Sequence, residues 1–257
     1  MFKNMVPVTK AKHGKTKVKA SNSFAFARDL HVAYITSQEF VRAATTYPIV
    51  FIEDGNNASG FRPVVLMGLQ AGQNLFVGED GTWQASFVPA IVRRYPFALT
   101  KAADSDDYLV CIDEGSELVN KKEGAALFNA DGEPTEVVEN VKRYLAELQQ
   151  LDQLTNKFCE TLSSQNLFTP LNMRVGDGAA LRNITGCYIV NEQRLNGLSG
   201  ERFAELRESG YLAQIYAHLI SLGQMERLVK MNAAGNAAAE AVSEDAGETE
   251  AVAESVH

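Results

Sequence analysis

Two adjacent arginines stand in the otherwise apolar stretch 88–97. Neighbouring positions on a helix point about 100° apart, so at least one of the guanidinium groups of Arg93 and Arg94 is expected to lie near the apolar face. A buried guanidinium needs a partner. Asp113 and Glu114 can supply one, which leaves two interpretations open: a structural ion pair, or an anion-binding site in which an arginine binds a ligand carboxylate.

Two further side chains are candidates for the same site. His31 is better placed for acid–base work than the other histidines, although no partner stands near it in the sequence. Trp83 could wall an anion site or simply pack in a hairpin. His218, beside an apolar stripe, is instead expected to be a hydrogen-bonded core or boundary residue. The predicted ligand-binding set is therefore His31, Trp83, Arg93, Arg94, Asp113 and Glu114, with no catalytic residue assigned.

The sequence lacks the short motifs of metal, nucleophile and phosphate sites. Its histidines are too scattered for H-x-x-H or H-E-x-x-H pairs, and no G-x-S-x-G is present. The triplet Gly14-Lys15-Thr16 has no preceding strand and no glycine five residues before Gly14, so it cannot cradle a phosphate as a P-loop does. We expect neither a metal nor a cofactor.

Charge is distributed unevenly along the 257 residues, whose formal net charge is −8. Residues 1–20 hold six lysines and no acid, whereas residues 232–257 hold six acids and no base. Removing these ends leaves 18 of the 24 bases and 26 of the 32 acids in 21–231. Because nucleic-acid binding needs a clustered positive face, we expect no nucleic-acid partner.

The apolar segments indicate a protein of the cytoplasm. The longest apolar runs, 48–52 and 63–69, are the length of strands, and a bilayer span needs about 20 residues, so no membrane span is expected. No apolar segment of signal-peptide length follows the lysines at the start. The three cysteines are odd in number and lie in apolar sequence, as expected of buried reduced thiols.

The first half of the sequence predicts an antiparallel α+β fold. β-Branched and aromatic runs at 49–52, 63–69 and 108–112 indicate strands, and Asp80-Gly81 is typical of a hairpin turn between 74–77 and 82–86. Short helices are predicted over 37–47, with Ser37 as N-cap, and over 88–95. Parallel neighbours would need crossover helices of about a dozen residues, which these short connections do not provide.

A long helix is predicted over 135–162, followed by further helices packed on the sheet. Apolar positions recur there at spacings of four and three, so one seam faces one partner: the protein's own core, or a second subunit in a homodimer. The seam consists of Val137, Val141, Tyr144, Leu148, Leu151, Thr155, Phe158 and Leu162. A strand over 186–190 and helices over 200–208 and 211–231, the last with a kink at Gly223, complete the prediction.

Composition divides the sequence into three parts. We expect a flexible basic arm over 1–20, in which Met5 to Val8 could add an edge strand if it docks, one α+β domain over 21–231 and a disordered acidic tail over 232–257. The tail is rich in Ala, Glu and Gly and has valine as its only large apolar residue, so it cannot bury enough surface to offset the entropy of ordering.

Blocks of residues throughout the central part resemble one known family. They are His31-Val32, Glu39-Phe40, Tyr47 to Phe51, Gly68-Leu69, Asn74 to Val77, Asp80 to Trp83, Val88-Pro89, Arg93 to Phe97, Cys111 to Glu114, Leu127-Phe128, Asp131-Gly132, Phe158-Cys159 and Ile215 to Leu219. In order and spacing they resemble the SapC family, from about residue 5 to 230. The resemblance implies a link to a bacterial surface-layer locus and to outer-membrane uptake systems, and it implies no catalytic mechanism.

Two functional hypotheses follow. The first is a non-catalytic binding or accessory protein of a surface-layer or uptake system, with an unidentified small-molecule or protein ligand. The alternative is an enzyme acting on a small anionic or peptide substrate, in which Arg93 or Arg94 orients a carboxylate and His31, Asp113 or Glu114 is the acid or base. The enzyme hypothesis requires these residues to converge on one concave pocket.

Overall fold

The structure, a computed structural model, describes residues 1–101, 108–175 and 182–235. Its strands are all paired in antiparallel fashion, and a long helix and C-terminal helices pack on the larger sheet, so the predicted α+β class is confirmed. The strands are β1 (Met5–Pro7), β2 (Lys17–Val18), β3 (Val32–Tyr34), β4 (Ile49–Glu53), β5 (Phe61–Leu66), β6 (Phe97–Lys101), β7 (Tyr108–Asp113), β8 (Val119–Asn120), β9 (Ala125–Ala126), β10 (Phe168–Val175) and β11 (Arg182–Val190).

The helices are mostly short. They are α1 (Lys10–His13), α2 (Phe40–Ala43), α3 (Ala90–Arg93), α4 (Glu136–Ser164), α5 (Glu192–Asn196), α6 (Gly200–Glu208) and α7 (Tyr211–Ser221). Residues 224–235 are also helical, so the predicted helix 211–231 is interrupted next to Gly223. The predicted acidic tail falls beyond residue 235 for most of its length, outside the described residues.

A five-stranded sheet in the order β10-β11-β4-β5-β3 carries the larger core. Ile49, Val50 and Phe51 of β4 are fully buried because the strand has packing partners on both sides of the sheet. The Phe51 ring meets Phe158 of α4 and His218 of α7. All three cysteines are free and buried, and burial raises the pKa of the Cys159 thiol to about 12.

The first twenty residues depart from the expected flexible arm. β1 pairs with β7, with Val6 opposite Ile112, and β2 lies between β8 and β9. Val6 and Val18 pack against a second, smaller hydrophobic cluster. β1 is the edge strand that the sequence left open at Met5 to Val8. The elements α1 and β2 were not predicted, because four and two residues are too short to show periodicity.

The long helix α4 joins the two hydrophobic clusters. Val138 and Leu145 belong to the smaller one, and Phe158, Cys159 and Leu162 to the larger. This apolar surface is therefore used within the chain, and a homodimer through this helix stays a prediction.

The predicted seam of α4 is buried or half-buried at all eight of its positions. The covered surface of the helix is wider than predicted, because Val138, Leu145, Asp152 and Cys159 are also buried or half-buried. An acid, Asp152, thereby lies next to the seam, between the two clusters.

The His218 side chain bridges β4 and β11 where the pairing between these two strands ends. The β4–β11 ladder pairs only Cys187 with Ile52 and Tyr188 with Phe51. Next to it, Nδ1 of His218 donates to the carbonyl of Ile49 at 2.9 Å, and the backbone N–H of Val190 donates to Nε2 at 3.0 Å.

The His218 imidazole is therefore neutral, with both nitrogens hydrogen-bonded. Burial lowers its pKa from 6.5 to about 4. The geometry agrees with the predicted core role.

We expect the free energy of unfolding to decrease as the pH is lowered, because of His218. The unfolded chain binds a proton there below about pH 6.5, whereas the folded protein does so only near pH 4, so the unfolding free energy decreases by roughly 3 kcal/mol across that interval. Urea unfolding at pH 7 and pH 4.5 measures this. The variant His218→Gln should lose this contribution, and the matched variant His31→Gln should keep it. Equal pH dependence in His218→Gln and the unchanged protein would contradict the assignment.

Candidate functional site

Asp113 holds the N-terminal segment in place. Its side chain is fully buried and accepts hydrogen bonds from the backbone N–H groups of Lys3 (3.0 Å), Asn4 (2.7 Å) and Gly115 (3.0 Å). Tyr95 approaches the same carboxylate at 3.4 Å. Burial by itself would raise the pKa of Asp113, but the backbone donors outweigh it and hold the pKa below its usual value.

Glu114 reinforces the same contact. It pairs with Lys12 at 2.8 Å and with the buried His13 at 3.2 Å, and the Lys12 hydrogen bond lowers the pKa of Glu114. The interpretation that these two acids pair with Arg93 or Arg94 is therefore corrected: both bind the N-terminal segment. The reason is that β1 adds to the edge of β7 and brings its donors to the acids at the end of that strand.

Trp83 and His31 have different surroundings. The indole N–H of Trp83 donates to the hydroxyl of Tyr47 at 2.9 Å, and its ring meets Phe24 edge-on. This is a packing role. His31 lines a groove of about 810 Å³ beside Gly68 and Gly186, and neither arginine lines that groove.

The two adjacent arginines have different surroundings. Arg93 is exposed, donates from Nε to the carbonyl of Val88 at 3.2 Å, and has its guanidinium 5.9 Å from the Tyr144 ring centre. Arg94, at the end of α3, is half-buried and lines a cavity of about 170 Å³. Of the predicted site residues, Arg94 is the only one in the lining of this cavity.

The cavity lies where α4 passes from one hydrophobic cluster to the other. α4 forms one wall, and α3, β3, β5 and β6 contribute the others. Its polar lining consists of Tyr34, Thr36, Glu39, Arg62, Arg94, Gln149 and Asp152, and its apolar lining consists of Ala90, Ile91, Leu99, Leu145 and Leu148. At about 170 Å³ it is smaller than the roughly 300–1,000 Å³ typical of sites for drug-sized molecules, so it suits a small ligand.

Arg94 brings a positive charge to this cavity without a carboxylate partner among the described residues. Its Nε is buried and makes no hydrogen bond there, and its guanidinium lies 5.5 Å from the Phe2 ring centre. Burial lowers the pKa of Arg94, but a guanidinium stays charged in proteins. A half-buried guanidinium that forms no ion pair within the described residues is stabilised when an anion binds.

Tyr34 organises the opposite side of the cavity. Its hydroxyl donates to Oδ1 of Asp152 at 2.6 Å, and its ring lies 4.7 Å from the guanidinium of Arg62. Arg62 is in turn paired with Asp54 at 2.9 Å. Burial, and then the hydrogen bond to Asp152, raise the pKa of Tyr34, so the hydroxyl remains a donor at neutral pH.

Glu39 adds a second carboxylate to the lining. It accepts from the backbone N–H of Ala90 at 2.8 Å and from the backbone N–H and hydroxyl of Thr36 at 2.9 and 3.0 Å. Thr36, rather than the predicted Ser37, is the N-cap of the short 3-10 helix Ser37–Glu39, and Glu39 is the partner in its capping box. Both carboxylate oxygens of Glu39 thus accept hydrogen bonds from neutral donors beside the cavity.

Four residues of the lining were not predicted as site residues: Tyr34, Glu39, Arg62 and Asp152. A signal was present for two of them. Thr36-x-x-Glu39 is a capping-box pattern, and Asp152 is an acid directly next to the predicted seam position Leu151 of α4. Tyr34 and Arg62 carry no local signal, because their role depends on the pairing of β3 with β5.

Neither a metal-binding cluster nor a membrane-spanning helix occurs in the part of the chain that the structure describes. Within it, no group of three or more His, Cys, Asp or Glu side chains is arranged to hold a metal ion. Among its helices, none combines the length and the apolar character that a bilayer crossing requires.

Comparison with known proteins gives a family match. A family model described as SapC matches residues 8–228, which include α1, β2 and the whole candidate cavity. No curated protein and no solved structure matches the chain.

We expect Asp113→Asn to detach the N-terminal segment. The substitution replaces one carboxylate oxygen with an amide NH2 group, which faces the backbone N–H donors and cannot accept from them. We expect this to lower the free energy of unfolding by about 2 kcal/mol. Urea unfolding measures the loss, and limited proteolysis measures cleavage within residues 1–20. The exposed neighbour provides the matched control, Glu117→Gln, which should change neither. If Asp113→Asn behaves like that control, the segment is held by other contacts.

Proposed function

We propose that this chain, which belongs to the SapC family, is a non-catalytic binding protein that takes up a small carboxylate-bearing ligand at Arg94. The observation that carries the proposal is the half-buried guanidinium of Arg94, which lines a small cavity and has no carboxylate partner among the described residues. Arginine recognises carboxylates through paired N–H donors, which gives both affinity and orientation.

The surroundings of Arg94 support binding at this place. Phe2 covers one side of the guanidinium, and the N-terminal segment that carries Phe2 is held by Asp113. Gln149 adds a side chain that can both donate and accept hydrogen bonds. A donor held in a partly desolvated place by packed neighbours binds an anion more strongly than the same donor in water.

The enzyme alternative receives less support from the geometry. It assigned His31, Asp113 or Glu114 as acid or base beside an arginine. Asp113 and Glu114 bind the N-terminal segment, and His31 lines a separate groove. The residues proposed for proton transfer therefore do not line the cavity that contains Arg94.

The cellular part of the proposal rests on the family. We infer an accessory role in the cytoplasm, in a bacterial surface-layer or outer-membrane uptake system, with binding of a small molecule as the biochemical task. We do not assign a nucleic-acid partner to the chain, whose net charge is −8.

We expect Arg94→Gln to weaken carboxylate binding at least tenfold, because the charge and the paired donors are lost. Propionate is the probe. Binding is followed by NMR on backbone amides near the cavity and, in the unchanged protein, on the buried Nε–H of Arg94.

Arg93→Gln is the matched control, because it removes the same charge from the adjacent, exposed position. It should leave the dissociation constant of propionate unchanged. The proposal fails if Arg94→Gln binds propionate as the unchanged protein does, or if Arg94→Gln lowers the melting temperature while leaving propionate binding intact.

A further inference from the structure

The cavity that contains Arg94 carries charges of both signs. Arg62 is already paired with Asp54, so its charge is compensated within the chain. The remaining charged groups of the lining are one cation, Arg94, and two carboxylates, Glu39 and Asp152. A dicarboxylate would bring two more negative charges to a lining that already holds an excess of them, which disfavours it.

Asp152 is the carboxylate of the lining that can still accept hydrogen bonds from a ligand. Its Oδ1 accepts the hydroxyl of Tyr34 at 2.6 Å, and no donor of the described residues is hydrogen-bonded to its Oδ2. Glu39, in contrast, is engaged through both oxygens by Thr36 and Ala90. A cationic group of the ligand therefore finds its acceptor at Asp152, while Glu39 adds to the negative potential.

Tyr34 keeps Asp152 in this role. Its hydroxyl remains protonated because burial and the hydrogen bond to Asp152 raise its pKa, so it can only be a donor to that carboxylate. The Tyr34 ring also lies against the guanidinium of Arg62, and Arg62 is directed to Asp54. No ion pair is formed between Arg62 and Asp152, which leaves the acid for another cation.

The rest of the lining limits the size and polarity of the ligand. Ile91, Leu99, Leu145 and Leu148 form an apolar wall, and the volume of about 170 Å³ is too small for a peptide. A ligand that pairs with Arg94, pairs with Asp152 and packs on the apolar wall carries a carboxylate, an ammonium group and a short apolar body. A simple carboxylate would leave Asp152 uncompensated, and a simple amine would leave Arg94 uncompensated.

We infer that the cavity binds a small aliphatic amino acid as a zwitterion, with its carboxylate on Arg94 and its ammonium group on Asp152. The inference rests on the proposed function, because both use Arg94 as the anion site. It adds the cation site and the chemical class of the ligand.

The test compares three amino acids with the acids that lack only the ammonium group: glycine with acetate, L-alanine with propionate, and L-valine with isovalerate. Dissociation constants are measured by NMR titration of the full chain. At least one amino acid should bind tenfold or more tightly than its partner acid, and ethylamine, which lacks the carboxylate, should bind more weakly than L-alanine.

Two variants on α4 locate the ammonium site. Asp152→Asn should reduce the preference for the amino acid to about twofold or less and leave carboxylate binding in place, because the amide still accepts from Tyr34. Glu147→Gln is the matched control: it removes an exposed acid of the same helix and should keep the full preference.

The outcomes separate the inference from the proposed function. If every acid binds as tightly as its amino acid partner, or if Asp152→Asn keeps the preference, the zwitterion inference is overturned and carboxylate binding at Arg94 stands. If the signals of Arg94 and of the cavity shift with none of the six compounds, both are overturned. The comparison of each amino acid with its partner acid uses the unchanged protein, so it tests the inference even if Asp152→Asn fails to fold.

Discussion

One helix, α4, packs on both hydrophobic clusters, and much of the structure follows from that constraint. α4 rises about 1.5 Å per residue, so its 29 residues extend over roughly 44 Å. Its first half packs on the smaller cluster and its second half on the larger. Between them the covered surface turns polar at Asp152 and Thr155, and there the helix binds β3 and the turn after it through hydrogen bonds instead of apolar contacts. The cavity lies at this junction.

The elements with long or strong local signals could be predicted from the sequence. α4 has seven alternating steps of three and four residues, and β4, β5 and β11 contain compact apolar runs. His218 was assigned to the core because it lies beside an apolar stripe, and the structure gives it two backbone partners. These features depend on neighbours within one element, where periodicity carries the information.

The candidate site could be predicted only in part, because its members meet through the tertiary fold. Arg94 was found from its apolar surroundings, but its charged neighbours were not. Asp113 and Glu114 are close to the arginines in sequence, yet pairing of β1 with β7 supplies them with other donors. Asp152 lies next to the predicted seam of α4, and a pattern of apolar residues does not mark a polar position.

The hydrogen bonds around the cavity join residues far apart in sequence. Lys3 and Asp113 are 110 residues apart, and Tyr34 and Asp152 are 118 apart. Closing such loops costs conformational entropy that only the complete fold recovers, so a partly folded chain lacks the site. Ligand occupancy and global stability are therefore thermodynamically linked. A ligand at one hundred times its dissociation constant stabilises the whole chain by about 2.7 kcal/mol, and free ligand in the cell would slow turnover of the protein that binds it.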